Sequence, residues 1–112
     1  MTVTAKALFE ALQAQNAETT QYTTPTGTRT IIDKFTGTNT TATAATLTIK
    51  LIASGGAAGA ANTIVSSKTL QPGEAYTFPE IVGHVLNPGD FISTLAGTAA
   101  AITIRASGRE VS

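Results

Sequence analysis

Histidine and carboxylate side chains offer the most chemistry in this sequence, and they are few. His84 is the only histidine among 112 residues, and cysteine is absent. A metal site needs three or four ligands, and there is neither a second imidazole nor a thiolate to complete one. A serine–histidine–acid triad could use His84, but the Gly-x-Ser-x-Gly turn that presents a nucleophile is missing. We therefore expect His84 to be a partly exposed histidine at a turn. A minor alternative is that the protein is a small hydrolase that uses Glu80 and His84.

The acidic residues could pair for glycoside hydrolysis, which needs two carboxyl groups flanking the scissile bond. Their positions favour simpler roles. Glu74 and Asp90 each follow a Pro-Gly pair, where a polar turn residue is a sufficient explanation. Asp33 shares a strand-like segment with Arg29 and Lys34, which favours a structural ion pair. The sequence thus predicts no catalytic, cofactor-binding or metal-binding residue, and a protein that is not an enzyme.

Composition and charge argue against several classes of partner. The formal net charge is zero and 12% of residues are charged, so no basic stripe can neutralise nucleic-acid phosphates. No apolar run approaches the roughly 18 residues of a membrane span. Residues 1–6 lack the basic start of a signal peptide, and no long apolar stretch follows them. We expect a product made in the cytoplasm, with neither nucleic acid nor a membrane as its partner.

The hydrophobic fraction is 42%, but much of it is alanine. Large apolar side chains are scarce, so a core built from this chain alone is expected to be thin. Association with copies of the same chain would add stability by mass action. The composition therefore favours a homo-oligomer.

Alternating threonine and aliphatic residues predict β-structure along most of the chain. The clearest example is residues 45–52, where Ala45, Leu47, Ile49 and Leu51 share one face. About six or seven short strands follow one another at spacings of roughly 10 to 16 residues, with turn signals between them. This pattern is typical of an antiparallel β-sandwich or jelly roll.

The N-terminal segment breaks this pattern. Residues 4–15 carry apolar side chains at helical spacing, and Thr4 is positioned to cap a helix there. A helix this short is marginal by itself and must dock either on its own sheet or on a neighbouring subunit. We therefore predict a helical arm at residues 1–18, followed by a β-sandwich domain at residues 19–112. The candidate subunit-interface residues on this arm are Leu8, Phe9 and Leu12.

Three segments of the sequence resemble a known group of proteins. They are residues 29–36, 76–86 and 102–110, and the likeness extends over most of the chain from about Thr20 onward. These segments are similar to small proteins encoded in the structural gene blocks of tailed bacteriophages and prophages. The resemblance implies a component of the virion, a symmetric homo-oligomer that decorates or joins the particle. It leaves open a place on the capsid, at the neck or along the tail.

The resulting hypothesis is a non-enzymatic virion protein without cofactors, acting as a capsid decoration or cement protein or as a head–neck–tail component. Its expected partners are itself, with a trimer as one option, and other virion proteins such as the major capsid protein. The alternative is a carbohydrate-binding or adhesive β-sandwich module of a phage tail or fibre. That module would use the loops around Tyr22, Tyr76 and the Pro-Gly turns. In either case the protein is made in the bacterial host cytoplasm and ends in the virion.

Overall fold

A computed structural model, which describes residues 1–112, contains nine β-strands and one short 3-10 helix at Ala60–Asn62. The strands are β1 (Val3–Gln13), β2 (Thr19–Thr23), β3 (Arg29–Asn39), β4 (Ala45–Ile52), β5 (Thr63–Leu70), β6 (Ala75–Tyr76), β7 (Val85–Leu86), β8 (Phe91–Ala96) and β9 (Ile102–Val111).

These strands form two antiparallel sheets. The first sheet has the order β1–β9–β3, and the far side of β3 pairs with β6 near one end and with β7 near the other. The second sheet has the order β2–β8–β4–β5. Buried aliphatic and aromatic side chains from both sheets form one core of 20 residues. The prediction of a mainly β, antiparallel fold is confirmed, and the arrangement is that of a sandwich.

The predicted N-terminal helix is wrong, because residues 3–13 form strand β1. This strand pairs with β9 along its length, with register shifts between Ala7 and Phe9 and again between Phe9 and Leu12. Such shifts are β-bulges, in which one strand uses an extra residue and its side chains change face. As a result Leu8 and Phe9, although adjacent, are both buried, and Leu12 packs against the same core. The core-facing residues of this bulged strand therefore have the same sequence spacing as one face of a helix.

Strand β4 begins and ends at the predicted residues, Ala45 and Ile52. Strand β9, in contrast, continues through Gly108, which the sequence suggests would end it. A Cβ atom at Gly108 would lie 2.2 Å from the backbone oxygen of Ile31. Gly108 is therefore needed for close approach of the central strands β9 and β3, and it does not break the strand.

Aromatic rings that are scattered in sequence meet in the core. Phe35 packs edge-to-face against Phe9 and Phe78, with ring centroids 5.7 and 5.4 Å apart. Phe35 and Phe78 are fully buried. Edge-to-face pairs of this kind add about 0.5–1.5 kcal/mol each beyond the burial of their area. The aromatic residues therefore contribute to packing of the core.

Candidate interaction surface

The outer face of the first sheet, defined as the side away from the core, gathers apolar side chains into two adjacent rows. Residues that are directly opposite in neighbouring strands project to the same side of the sheet. The strand register therefore places Ala5, Arg109, Ile31 and Val85 in one row, and Val3, Val111 and Arg29 in the next.

The larger apolar residues of the outer face are open to solvent. Val3 is 53% exposed and Val85 is 54% exposed, while Ile31 and Val111 are half-buried. The neighbouring Ile32, which projects to the other side of the sheet, is fully buried in the core. Contiguous exposed apolar side chains are the feature that marks contact sites on soluble proteins.

The charges within this face are largely paired. Arg109 and Asp33 form a two-pronged contact, with Nε donating to Oδ2 at 3.0 Å and Nη2 donating to Oδ1 at 3.0 Å. The hydrogen bonds to Asp33 raise the pKa of Arg109. Asp33 thus pairs with a residue of β9 and not with Arg29 or Lys34, the partners expected from sequence. The pairing reduces the charge that a partner surface would have to desolvate.

An open cleft of about 510 Å³ adjoins this face where β3 begins and β9 ends. Thr28, Arg29, Pro88 and Val111 are among its seven lining residues, of which two are hydrophobic. Sites for small molecules are mostly apolar and enclosed. The cleft therefore lacks the character of a small-molecule site and forms a solvent-exposed border of the outer face.

A polar cluster joins the two sheets near the same end of the sandwich. The hydroxyl of Tyr22 donates to Glu110 Oε2 at 2.5 Å and lies 2.7 Å from Thr30 Oγ1. Lys6 Nζ lies 3.4 Å from the same Glu110 oxygen. Burial, followed by the hydrogen bond to Glu110, raises the pKa of Tyr22 to about 12. The hydroxyl of Thr24 is buried without a hydrogen-bond partner.

A second polar cluster fixes the connection between β1 and β2 to the second sheet. Glu18 accepts hydrogen bonds from Lys50 and from Ser93, the latter at 2.6 Å. Burial alone would raise the pKa of Glu18, but the hydrogen bonds from Lys50 and Ser93 outweigh it and lower the pKa. Because both donors are committed to this carboxylate, the cluster acts as a structural clamp.

The interface residues predicted from sequence lie elsewhere. Leu8 and Phe9 are 7% and 8% exposed, and Leu12 is half-buried against the core. Their apolar surface covers the inside of their own chain, and their role as subunit anchors stays a prediction. The outer-face residues were missed. One sequence signal could have indicated them, because residues 29–38 carry apolar side chains on both faces of the strand.

Of the residues named for the alternative functions, the two tyrosines and Glu80 are engaged in contacts and His84 is exposed. Tyr22 is 8% exposed, so its ring cannot stack on a sugar. Lys68 Nζ lies over the ring of Tyr76 at 4.5 Å, and the Tyr76 hydroxyl donates to Glu80 at 2.9 Å. That hydrogen bond raises the pKa of Tyr76. The side chain of His84 is exposed.

The structure contains no group of three or more histidine, cysteine, aspartate or glutamate side chains able to hold a metal ion. None of its helical segments has the length and apolar character required to span a bilayer.

Comparison with known proteins assigns no family. No family model matches the chain, and no curated protein matches it. Among solved structures, it is similar to a chain in the structure of the infectious bursal disease virus Gx strain, with 14% sequence identity and a TM-score of 0.45. The match covers 97% of this chain and 32% of the viral chain. This chain therefore spans about a third of the length of that neighbour.

Proposed function

We propose that this chain is a homo-oligomeric structural protein of a tailed bacteriophage particle, either a capsid decoration or cement protein or a head–neck–tail component. The observation that carries the proposal is the outer face of the first sheet, where Val3 and Val85 are each more than half exposed beside Ile31 and Val111. Residues 29–36, 76–86 and 102–110 resemble small structural proteins of tailed phages. This resemblance supports the assignment to a phage particle made in a bacterial host.

The mechanism is burial of the outer face. Fully covering a valine or isoleucine side chain contributes roughly 1.5–3 kcal/mol, and a symmetric assembly repeats each contact. Of the charges on this face, those of Arg109 and Asp33 already neutralise each other within the chain, whereas Arg29 forms no ion pair. Covering the row that holds Ile31 and Val85 therefore gains apolar burial at a small cost in desolvated charge. Arg29, which lines the open cleft at the border, can keep its contact with water.

The direct test is the mass of the purified protein in solution, measured alone and after mixing with capsid shells. We expect a defined oligomer that sediments with the shells or with isolated necks and tails. A protein that stays monomeric and binds neither shells nor necks nor tails would overturn the proposal. Saturable binding on a glycan array without particle binding would instead favour the adhesive module.

A matched pair of variants tests the surface itself. Val85→Ser removes an apolar side chain from the outer face, and Ile64→Ser removes one that is 37% exposed on the second sheet. Each side chain is partly covered in the monomer. We therefore expect each variant to lower the free energy of unfolding by a similar amount, about 1–2 kcal/mol. We expect only Val85→Ser to weaken self-association or particle binding. Equal behaviour of the two variants would place the contact elsewhere.

A further inference from the structure

Strand β1 is the outer edge of the first sheet, and half of its backbone groups face away from the protein. Thr2 and Ser112 exchange two hydrogen bonds, of 2.6 and 2.9 Å. In an antiparallel pair, residues with bonded and non-bonded partners alternate. Thr4 and Lys6 therefore direct their N–H and C=O groups toward β9. Val3, Ala5 and Ala7 direct theirs outward.

This edge differs from the other edges of the sandwich. Val3–Ala7 pairs with β9 in an unbroken register of five residues. In contrast, β2 is interrupted by a register shift after Thr20, and β5 is interrupted by shifts and by the positive φ of 46° at Ser67. Strands β6 and β7 have two residues each. Short, bulged edges resist pairing with other chains, and a regular edge invites it.

We propose that β1 pairs antiparallel with β1 of a second copy about a twofold axis at Ala5, so that the first sheet continues across two molecules. This inference rests on the proposed homo-oligomeric function and adds to it an edge contact between two copies, separate from burial of the outer face. The pairing sets Ala5 opposite Ala5 of the second copy and Val3 opposite Ala7 of the second copy. Each outward N–H then meets an outward C=O, and every pair exchanges two hydrogen bonds.

The side chains of β1 fit this register. Val3, Ala5 and Ala7 lie on the outer face and are small, so two strands can approach without a clash. On the other face Lys6 comes opposite Thr4 of the second copy, so like charges do not meet directly. The ammonium of Lys6 already lies 3.4 Å from Glu110 of its own chain. The register also joins the apolar rows of the two outer faces into one surface.

A proline substitution separates this contact from internal pairing. Ala5→Pro removes an outward N–H and no hydrogen bond to β9, and proline is tolerated on edge strands whose N–H faces solvent. The matched control is Thr23→Pro. Thr24 donates to Asp90 at 2.9 Å, so the N–H of Thr23 points away from β8 at the edge of the second sheet. We expect Ala5→Pro to shift the assembly toward monomer, and Thr23→Pro to leave it unchanged.

Amide hydrogen exchange tests the same contact without a variant. We expect exchange at Val3, Ala5 and Ala7 to slow when the protein is concentrated enough to associate, and to be fast when it is dilute. Slowing only after capsid shells are added would overturn pairing with a second copy and favour a strand from the shell protein.

The outcomes distinguish this inference from the proposed function. A monomer that binds no particle overturns both. An oligomer that persists in Ala5→Pro, or whose mass is that of a trimer, overturns the edge pairing alone, because a twofold contact between two copies cannot by itself close a trimer.

Discussion

Tyr22 illustrates how single residues hold this sandwich together. Its ring is buried, and its hydroxyl reaches from β2 in the second sheet to Thr30 and Glu110 in the first. A hydroxyl in this position links two layers that otherwise meet through apolar contacts. Removing it would leave Thr30 and Glu110 without that partner, at a cost of about 1–3 kcal/mol.

The raised pKa of Tyr22 predicts a pH-dependent stability. The folded protein holds the phenol proton up to a pKa of about 12, whereas the ordinary pKa of tyrosine is 10.0. The favourable contribution is therefore complete below pH 10 and is lost as the pH rises from 10 to 12. Chemical denaturation across that range should show a falling free energy of unfolding. Tyr22→Phe should be less stable at neutral pH and show a shallower fall.

The control for this experiment is Tyr76→Phe, since Tyr76 also titrates in the alkaline range but its hydroxyl is on the surface, bonded to Glu80. We expect that variant to keep most of the fall. If Tyr22→Phe and the wild type lose stability in parallel above pH 10, the buried hydroxyl is not the responsible group.

At the scale of elements, the sequence predicts strands well where alternation is regular and fails where bulges occur. The bounds of Ala45–Ile52 are as predicted, and Ala45, Leu47 and Ile49 are buried in the core as expected. The alternation ends after Ile49, because Lys50 and Ile52 are also buried and Leu51 is half-buried. In β1 the bulges around Leu8 and Phe9 place consecutive side chains inward, so the pattern is read as helical. A further shift between Ile32 and Lys34 reverses the faces of β3, which puts Ile32 and Phe35 together in the core. Bulges depend on the partner strand, which a local pattern does not contain.

The position of Phe9 in the core predicts a loss of stability before any loss of assembly. Phe9→Ala removes a ring that packs against Phe35, and we expect it to lower the free energy of unfolding by about 3–5 kcal/mol. The control is Glu10→Ala on the same strand, whose carboxylate is exposed and lies 3.8 Å from Arg105; its effect should stay within about 0.5 kcal/mol. Urea denaturation of each variant measures the change in the free energy of unfolding. A Phe9→Ala protein that folds with wild-type stability but fails to associate would instead support the predicted anchor role.

At the scale of the whole molecule, the first sheet sets the shape. Its three long strands, β1, β3 and β9, have 11, 11 and 10 residues, and the molecule measures 46 by 26 by 19 Å. The sequence indicated association through a low charge and a thin core, but it did not locate the surface. The outer face is assembled from β1, β9, β3 and β7, and only their register brings Val3, Ile31 and Val85 together.

The near absence of net charge predicts how association responds to salt. Because apolar burial and backbone hydrogen bonds form the proposed contacts, we expect sodium chloride to leave self-association nearly unchanged and sodium sulfate to strengthen it. Sedimentation equilibrium in a series of both salts measures this. A steep loss of association with rising sodium chloride would point instead to ion pairs exchanged between molecules, with Arg109 and Asp33 as the first candidates.

The pairing of β1 with β9 also governs when the fold can be completed. Val3 lies opposite Val111, so among the nine strands the first to be synthesised pairs with the last. Contacts between residues so distant in sequence form slowly. Until β9 is synthesised, neither edge of β1 has a partner strand. Unpaired strand edges make incompletely folded chains prone to aggregate. The chain is therefore most prone to misassembly in the interval between synthesis of β1 and synthesis of β9.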